Sequence, residues 1–129
     1  MAIRIVRLGE PRLEGEGLRL GTVRRPPRGV PKREYAERDF FDLWLPILSP
    51  SEDLLKEGKL AGDERDWAVF RRKFIAEMNR PEPRQVLDLL AAFSRLTDFS
   101  LGCYCREEQK CHRSILRELL LQRGADLKT

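Results

Sequence analysis
The chain has 129 residues, 41% of them hydrophobic and 36% charged. That balance excludes a disordered chain, and the length suits one domain with one core spanning 1–129. The net charge of +4, from 25 basic against 21 acidic residues, permits an anionic partner without requiring one and is weak for a nucleic-acid binder.

The start, Met1-Ala-Ile-Arg-Ile-Val-Arg, alternates charged with apolar residues instead of forming a signal-peptide core. No apolar run approaches the roughly 18 residues of a membrane-spanning helix. A cytoplasmic protein with no membrane association is expected, and the sequence carries no signal for an oligomeric state.

In chain order, Ile3 to Leu8 alternates apolar residues with Arg4 and Arg7 and predicts a strand that Gly9 and Pro11 end. Leu18, Leu20 and Thr22 predict a second strand, ending near Val23. The stretch from Arg24 to Arg33 holds three prolines and five basic residues and predicts an exposed loop. Asp39 to Leu45, with Phe40, Phe41, Leu43 and Trp44, predicts a short buried segment closed by Pro46. Ser49-Pro50-Ser51-Glu52 suggests a helix with Ser49 at the N-cap, Pro50 first in the helix and a stop at Gly58. Trp67, Phe70, Phe74 and Met78 recur at steps of three and four and predict a longer helix from Asp63. Pro81 and Pro83 separate it from a helix striped by Val86, Leu87, Leu90 and Phe93. Phe99, Leu101 and Cys103 then predict a buried strand, and Ile115, Leu116, Leu119 and Leu120 a last helix ending at Gly124. Interspersed strands and helices point to an α/β domain, a small, mostly parallel sheet with helices packed on it.

The chemistry-bearing stretch runs from Ser100 to Arg113. It sets Cys103 and Cys105 at the end of a strand and Cys111, His112 and Arg113 at the start of a helix. In parallel α/β sheets ligands sit beyond the carboxyl ends of strands, and a helix N-terminus adds free amides and partial positive charge. Three cysteines without an export signal are expected to be free thiols rather than a disulfide framework. Cys111, beside Lys110, His112 and Arg113, is the candidate nucleophile, His112 the group that holds or shuttles a proton, and Arg113 the oxyanion partner, with Cys105 a further catalytic candidate. The alternative for these residues is simple packing, with Arg113 paired to Glu107, Glu108 or Glu118. The Cys-x5-Arg loop of cysteine phosphatases is not present, since the sixth residue after Cys105 is Cys111. Zinc could be held by Cys103, Cys105, Cys111 and His112, although adjacent residues chelate one ion awkwardly. No resident cofactor is therefore expected, with zinc as the alternative. Arg24, Arg25 and Arg28 in the basic loop, with Cys103, could bind a small anion such as a carboxylate or phosphate.

Four segments taken in order resemble the bacterial family called domain of unknown function 488. They are Arg24-Arg-Pro-Pro-Arg-Gly-Val30, the region from Trp44 to Leu55, Trp67-Ala-Val-Phe-Arg-Arg-Lys-Phe74 with Glu77, and the cysteine turn ending in Cys111-His112-Arg113. The resemblance covers 18–121. It implies a compact α/β protein of the branch that carries a Cys-His-Arg helix start, and it brings no assigned activity. The first loop departs from the family by lacking an aromatic residue, Val23 being followed directly by Arg24-Arg-Pro-Pro.

Two functions are compatible with these features. One is an enzyme or ligand-binding domain whose Cys/His/Arg pocket takes a small anionic or nucleotide-like ligand. The other is a zinc-stabilised module that binds protein or nucleic acid.

Overall fold
The computed structural model describes residues 2–128, so Met1 and Thr129 lie outside the described residues. Four strands, β1 (Ile3–Arg7), β2 (Leu18–Gly21), β3 (Leu43–Trp44) and β4 (Phe99–Cys103), form one sheet in the order β1-β4-β2-β3. Every pairing is parallel. The expected α/β architecture is therefore present as a single domain. Among the described residues four α-helices accompany the sheet: α1 (Glu52–Leu60), α2 (Glu64–Met78), α3 (Pro81–Phe93) and α4 (His112–Gln122).

The last strand in sequence is central. Phe99 lies opposite both Ile3 and Leu18, and Gly102 opposite both Val6 and Gly21. All five residues of β4 are buried, as befits a strand flanked on both sides in a covered parallel sheet. The outer edge of β1 is occupied by the C-terminal segment, where the Ile3 amide donates to Asp126 and the Lys128 amide donates back to Ile3. This pairing covers backbone groups that an open edge would leave to another chain.

The main core joins Ile3 and Leu101 of the sheet to Phe74 of α2, Leu87 of α3, and Ile115, Leu116 and Leu120 of α4. α2 begins at Asp63, whose carboxylate accepts from the Asp66 amide, and α4 closes at Gly124, where the amides of Gly124 and Ala125 cap the carbonyls of Leu121 and Leu120.

Four expectations are corrected. The N-cap of α1 is Ser51 rather than Ser49: Ser51 is extended, its Oγ accepts from the Leu54 amide, and that same hydroxyl donates to Glu77 of α2. Nor does α1 stop at Gly58. The absence of a side chain there admits the Phe70 ring, which lies 2.8 Å from where a Cβ would stand, so this glycine packs α1 on α2 instead of ending it. The segment around β3 is only partly buried. Phe41 is inside, but Leu43 and Trp44 are exposed on the sheet edge, with the Trp44 indole donating to the Val23 carbonyl. Pro81 is also the first residue of α3 rather than part of a spacer, a position where its missing N–H costs nothing.

Candidate functional site: a thiol cluster at the carboxyl edge of the sheet
Parallel strands that end together bring their following residues together. The ends of β1, β2 and β4 deliver Leu8, Thr22 and Val23, and Cys103 to one edge, and the turn after β4 folds back so that α4 starts against them. Leu8, Val23, Phe41, Cys103 and Cys111 form a second, smaller apolar cluster there.

The cysteine turn is pinned at both ends. The Arg7 Nε donates to the Tyr104 carbonyl, the Tyr104 hydroxyl to the Arg25 carbonyl, and Arg117 holds Glu108 through two short bonds. Cys103 and Cys111 are buried, whereas Cys105 is exposed, and all three are free thiols. The Cys103 thiol donates to Cys105 Sγ at 3.8 Å, and Cys111 Sγ lies 3.7 Å from His112 Nδ1. The ligand atoms of Cys103, Cys111 and His112 all fall within 4.8 Å of one another.

His112 is oriented from β2. Its Nε2 lies 2.6 Å from the Thr22 carbonyl, which can only accept, so Nε2 carries a hydrogen. In the neutral ring Nδ1 is then the lone-pair nitrogen, and it faces the thiols. The Phe74 ring, edge-on at 5.6 Å, fixes the plane of the imidazole.

The three thiols share their protons unequally. Cys105 is held well below the usual thiol range, first because the other two thiols bond to its sulfur and then because Arg113 faces it. Cys103 is pushed up, mainly because it supplies a proton to its neighbours and also through burial. Cys111 is lowered, first by its bond with Cys103.

Arg113 is 3% exposed. Its two terminal nitrogens donate to the carbonyls of Val6 (2.7 Å) and Cys105 (2.6 Å), and its Nε–H has no partner. None of the glutamates suggested from the sequence pairs with it; Glu108 is taken by Arg117 and Glu118 by Arg71. Beside it opens a hollow of about 330 Å³ whose lining includes Arg7, Glu10, Arg106, Glu108 and Arg113. Arg7 pairs with Glu10, and Arg19, also in the lining, with Glu16. Arg106 and Arg113 are left without an ion-pair partner among the described residues.

The basic loop is placed differently. Arg24 is half-buried and donates to the carbonyls of Ser49 and Pro50, Arg25 pairs with Glu52, and Arg28 is exposed. Through the Tyr104–Arg25 bond this loop touches the cysteine turn, but the Arg24 and Arg25 guanidiniums serve the start of α1. The segments carrying the family resemblance thus interlock: the first loop holds Ser49-Pro50, and Ser51 holds Glu77 of α2.

Thr22, Val6 and Tyr104 were not singled out from the sequence. All three act through backbone carbonyls, which leave no side-chain signature. Their positions at or just beyond strand ends were the available signal.

Comparison with known proteins bears on the family. The family described as "Active DUF488-N3 subclade" matches residues 3–124. The chain is also 32% identical over 82 residues to "Uncharacterized protein YeaO" of Escherichia coli (strain K12), a match covering 64% of this chain and 66% of that protein, just under two thirds of its length. No solved structure matches significantly. With almost the whole chain matched and the Cys-His-Arg start of α4 in place, the chain belongs to the domain of unknown function 488 family.

Proposed function
We propose that this chain is a cysteine-centred enzyme or ligand-binding domain that takes a small anionic compound at the carboxyl edge of its sheet. The observation that carries the reading is the buried Arg113 guanidinium, bonded only to neutral carbonyls, next to the one thiol that solvent reaches. A buried charge normally has a counter-charge. Arg106 and Arg113 line the hollow with no carboxylate paired to either among the described residues, a setting that suits a carboxylate or phosphate. Cys105, the exposed thiol whose backbone carbonyl Arg113 holds beside that hollow, is the thiol we assign to the ligand; Cys111 and His112 are buried. No described helix is long and apolar enough to cross a membrane. A reducing compartment such as the cytoplasm suits a site built of free thiols.

The test compares alkylation of Cys105 by iodoacetate, an anion, and by iodoacetamide, its neutral counterpart, in reduced protein with a chelator present. The ratio of the two rates cancels the thiolate fraction and reads the local field. A ratio above that of glutathione, lowered by Arg106→Ala and by inorganic phosphate, is the expected result. A ratio equal to that of glutathione would refute anion attraction at this thiol.

A further inference from the structure
Three ligand atoms of the thiol cluster lie within 4.8 Å of one another, and two of the cluster's separations match those of an occupied metal centre. Zinc bound tetrahedrally, with Zn–S near 2.3 Å and Zn–N near 2.0–2.1 Å, sets its ligand atoms about 3.8 Å apart for S···S and about 3.6 Å for S···N. Cys103 and Cys105 are separated by 3.8 Å, and Cys111 Sγ and His112 Nδ1 by 3.7 Å. The geometry points to a zinc site held by Cys103, Cys111 and His112, with Cys105 closing the fourth, solvent-facing corner.

Three further features fit that assignment. The neighbours Cys111 and His112 can serve one ion because Cys111 is the extended N-cap residue and His112 the first residue of α4, so the chain direction changes between them and both donor atoms turn to the same side. The imidazole is already in the form a metal needs: Nε2–H is committed to the Thr22 carbonyl, and Nδ1 is presented to the thiols. The charge also closes. Binding displaces the protons still held by the thiols to solvent, and three thiolates with one neutral imidazole give a zinc centre a net charge of −1. Arg113, bonded to the Cys105 carbonyl and otherwise without a counter-charge among the described residues, supplies the compensating +1. Soft thiolate donors favour zinc over magnesium or calcium.

The assignment does not rest on the anion-binding reading, because that reading is tested with a chelator present. The experiment here titrates the reduced full-length protein, stripped of metal, with Co²⁺ as the spectroscopic stand-in, and then with Zn²⁺. The expected result is one equivalent of Co²⁺ per chain, with thiolate-to-cobalt charge-transfer absorption and the visible bands of a tetrahedral ion, all abolished by one equivalent of Zn²⁺. Cys111→Ser, shown by circular dichroism to be folded, is expected to lose the signal, and Cys105→Ser to retain a weaker site with reduced charge-transfer intensity. Wild-type protein that develops no charge-transfer band with excess Co²⁺ would overturn the assignment. So would a band unchanged in Cys111→Ser. Because the wild-type titration decides the question, a variant that fails to fold does not leave it open.

Discussion
Replacing Arg113 by methionine keeps a similar apolar stem but removes both bonds that tie α4 to the end of β1 and to the cysteine turn. Hydrogen bonds from a charged donor contribute about 1.5–3 kcal/mol each, so the two together set an upper range of about 3–6 kcal/mol. Part of this is recovered, because the substitution also removes a buried charge and the Nε–H that has no partner. The net loss is expected at about 2–4 kcal/mol, which for a domain of this size lowers Tm by roughly 8–16 °C. Lysine retains the charge but cannot span two carbonyls, so Arg113→Lys is expected to lose about half as much. Urea unfolding followed by circular dichroism measures both variants. If Arg113→Met unfolds within about 0.5 kcal/mol of the wild type, the guanidinium does not hold the turn, and the reasoning that places Cys105 through it is wrong.

A second buried pair gives a separate prediction. Arg19 and Glu16 are both about 1% exposed at the side chain and are joined by two bonds of 2.9 Å, while Arg19 also holds the carbonyls of Glu10 and Asp39. Glu16→Gln leaves the guanidinium without its counter-charge and is expected to cost about 3 kcal/mol in equilibrium unfolding. Acid sensitivity follows from the same contact. Burial alone would raise the Glu16 carboxyl, but its bonds to Arg19 and the Arg19 charge outweigh that, and the net shift is downward from 4.5. Asp42 is likewise lowered from 3.8, its bonds to Arg12 and to the Arg19 amide outweighing its burial. A lowered folded value adds stability that is complete above the ordinary value and is lost as pH falls through the folded one. Unfolding free energy is therefore expected to drop below about pH 4.5, less steeply in Glu16→Gln; a flat profile down to pH 3 would contradict it. Gly17 has φ of +77°, and a Cβ there would overlap the Asp98 carbonyl oxygen, a backbone atom that cannot step aside. Gly17→Ala is accordingly expected to cost about 3 kcal/mol or more by thermal unfolding.

Much of the fold was legible because periodicity reports burial directly. The stripe Phe70, Phe74 and Met78 and the alternation around Phe99 and Leu101 required no knowledge of partners, and both proved to be core-facing. Strand order was not legible, since nothing in β4 itself announces that the last strand inserts between the first two. The edge pairing of 126–128 was missed for a related reason: backbone bonds need no particular side chain. Nothing in the sequence marks Glu16 and Arg19 as a buried ion pair, because that burial depends on loops brought in from Glu10 and Asp39. In the site, residue types and strand-end placement were enough to nominate Cys103, Cys105, Cys111, His112 and Arg113. Which thiol faces water depended on how the turn folds, and that was settled only by the packing of Leu8, Val23 and Phe41 around Cys103 and Cys111.

The most direct test of the thiol centre is to count and locate labels after brief alkylation of the native, reduced, metal-free protein, using peptide mass spectrometry. A single label on Cys105 is predicted, with Cys103 and Cys111 modified only after unfolding. Prompt modification of Cys111 or Cys103 in the native protein, or none of Cys105, would contradict it.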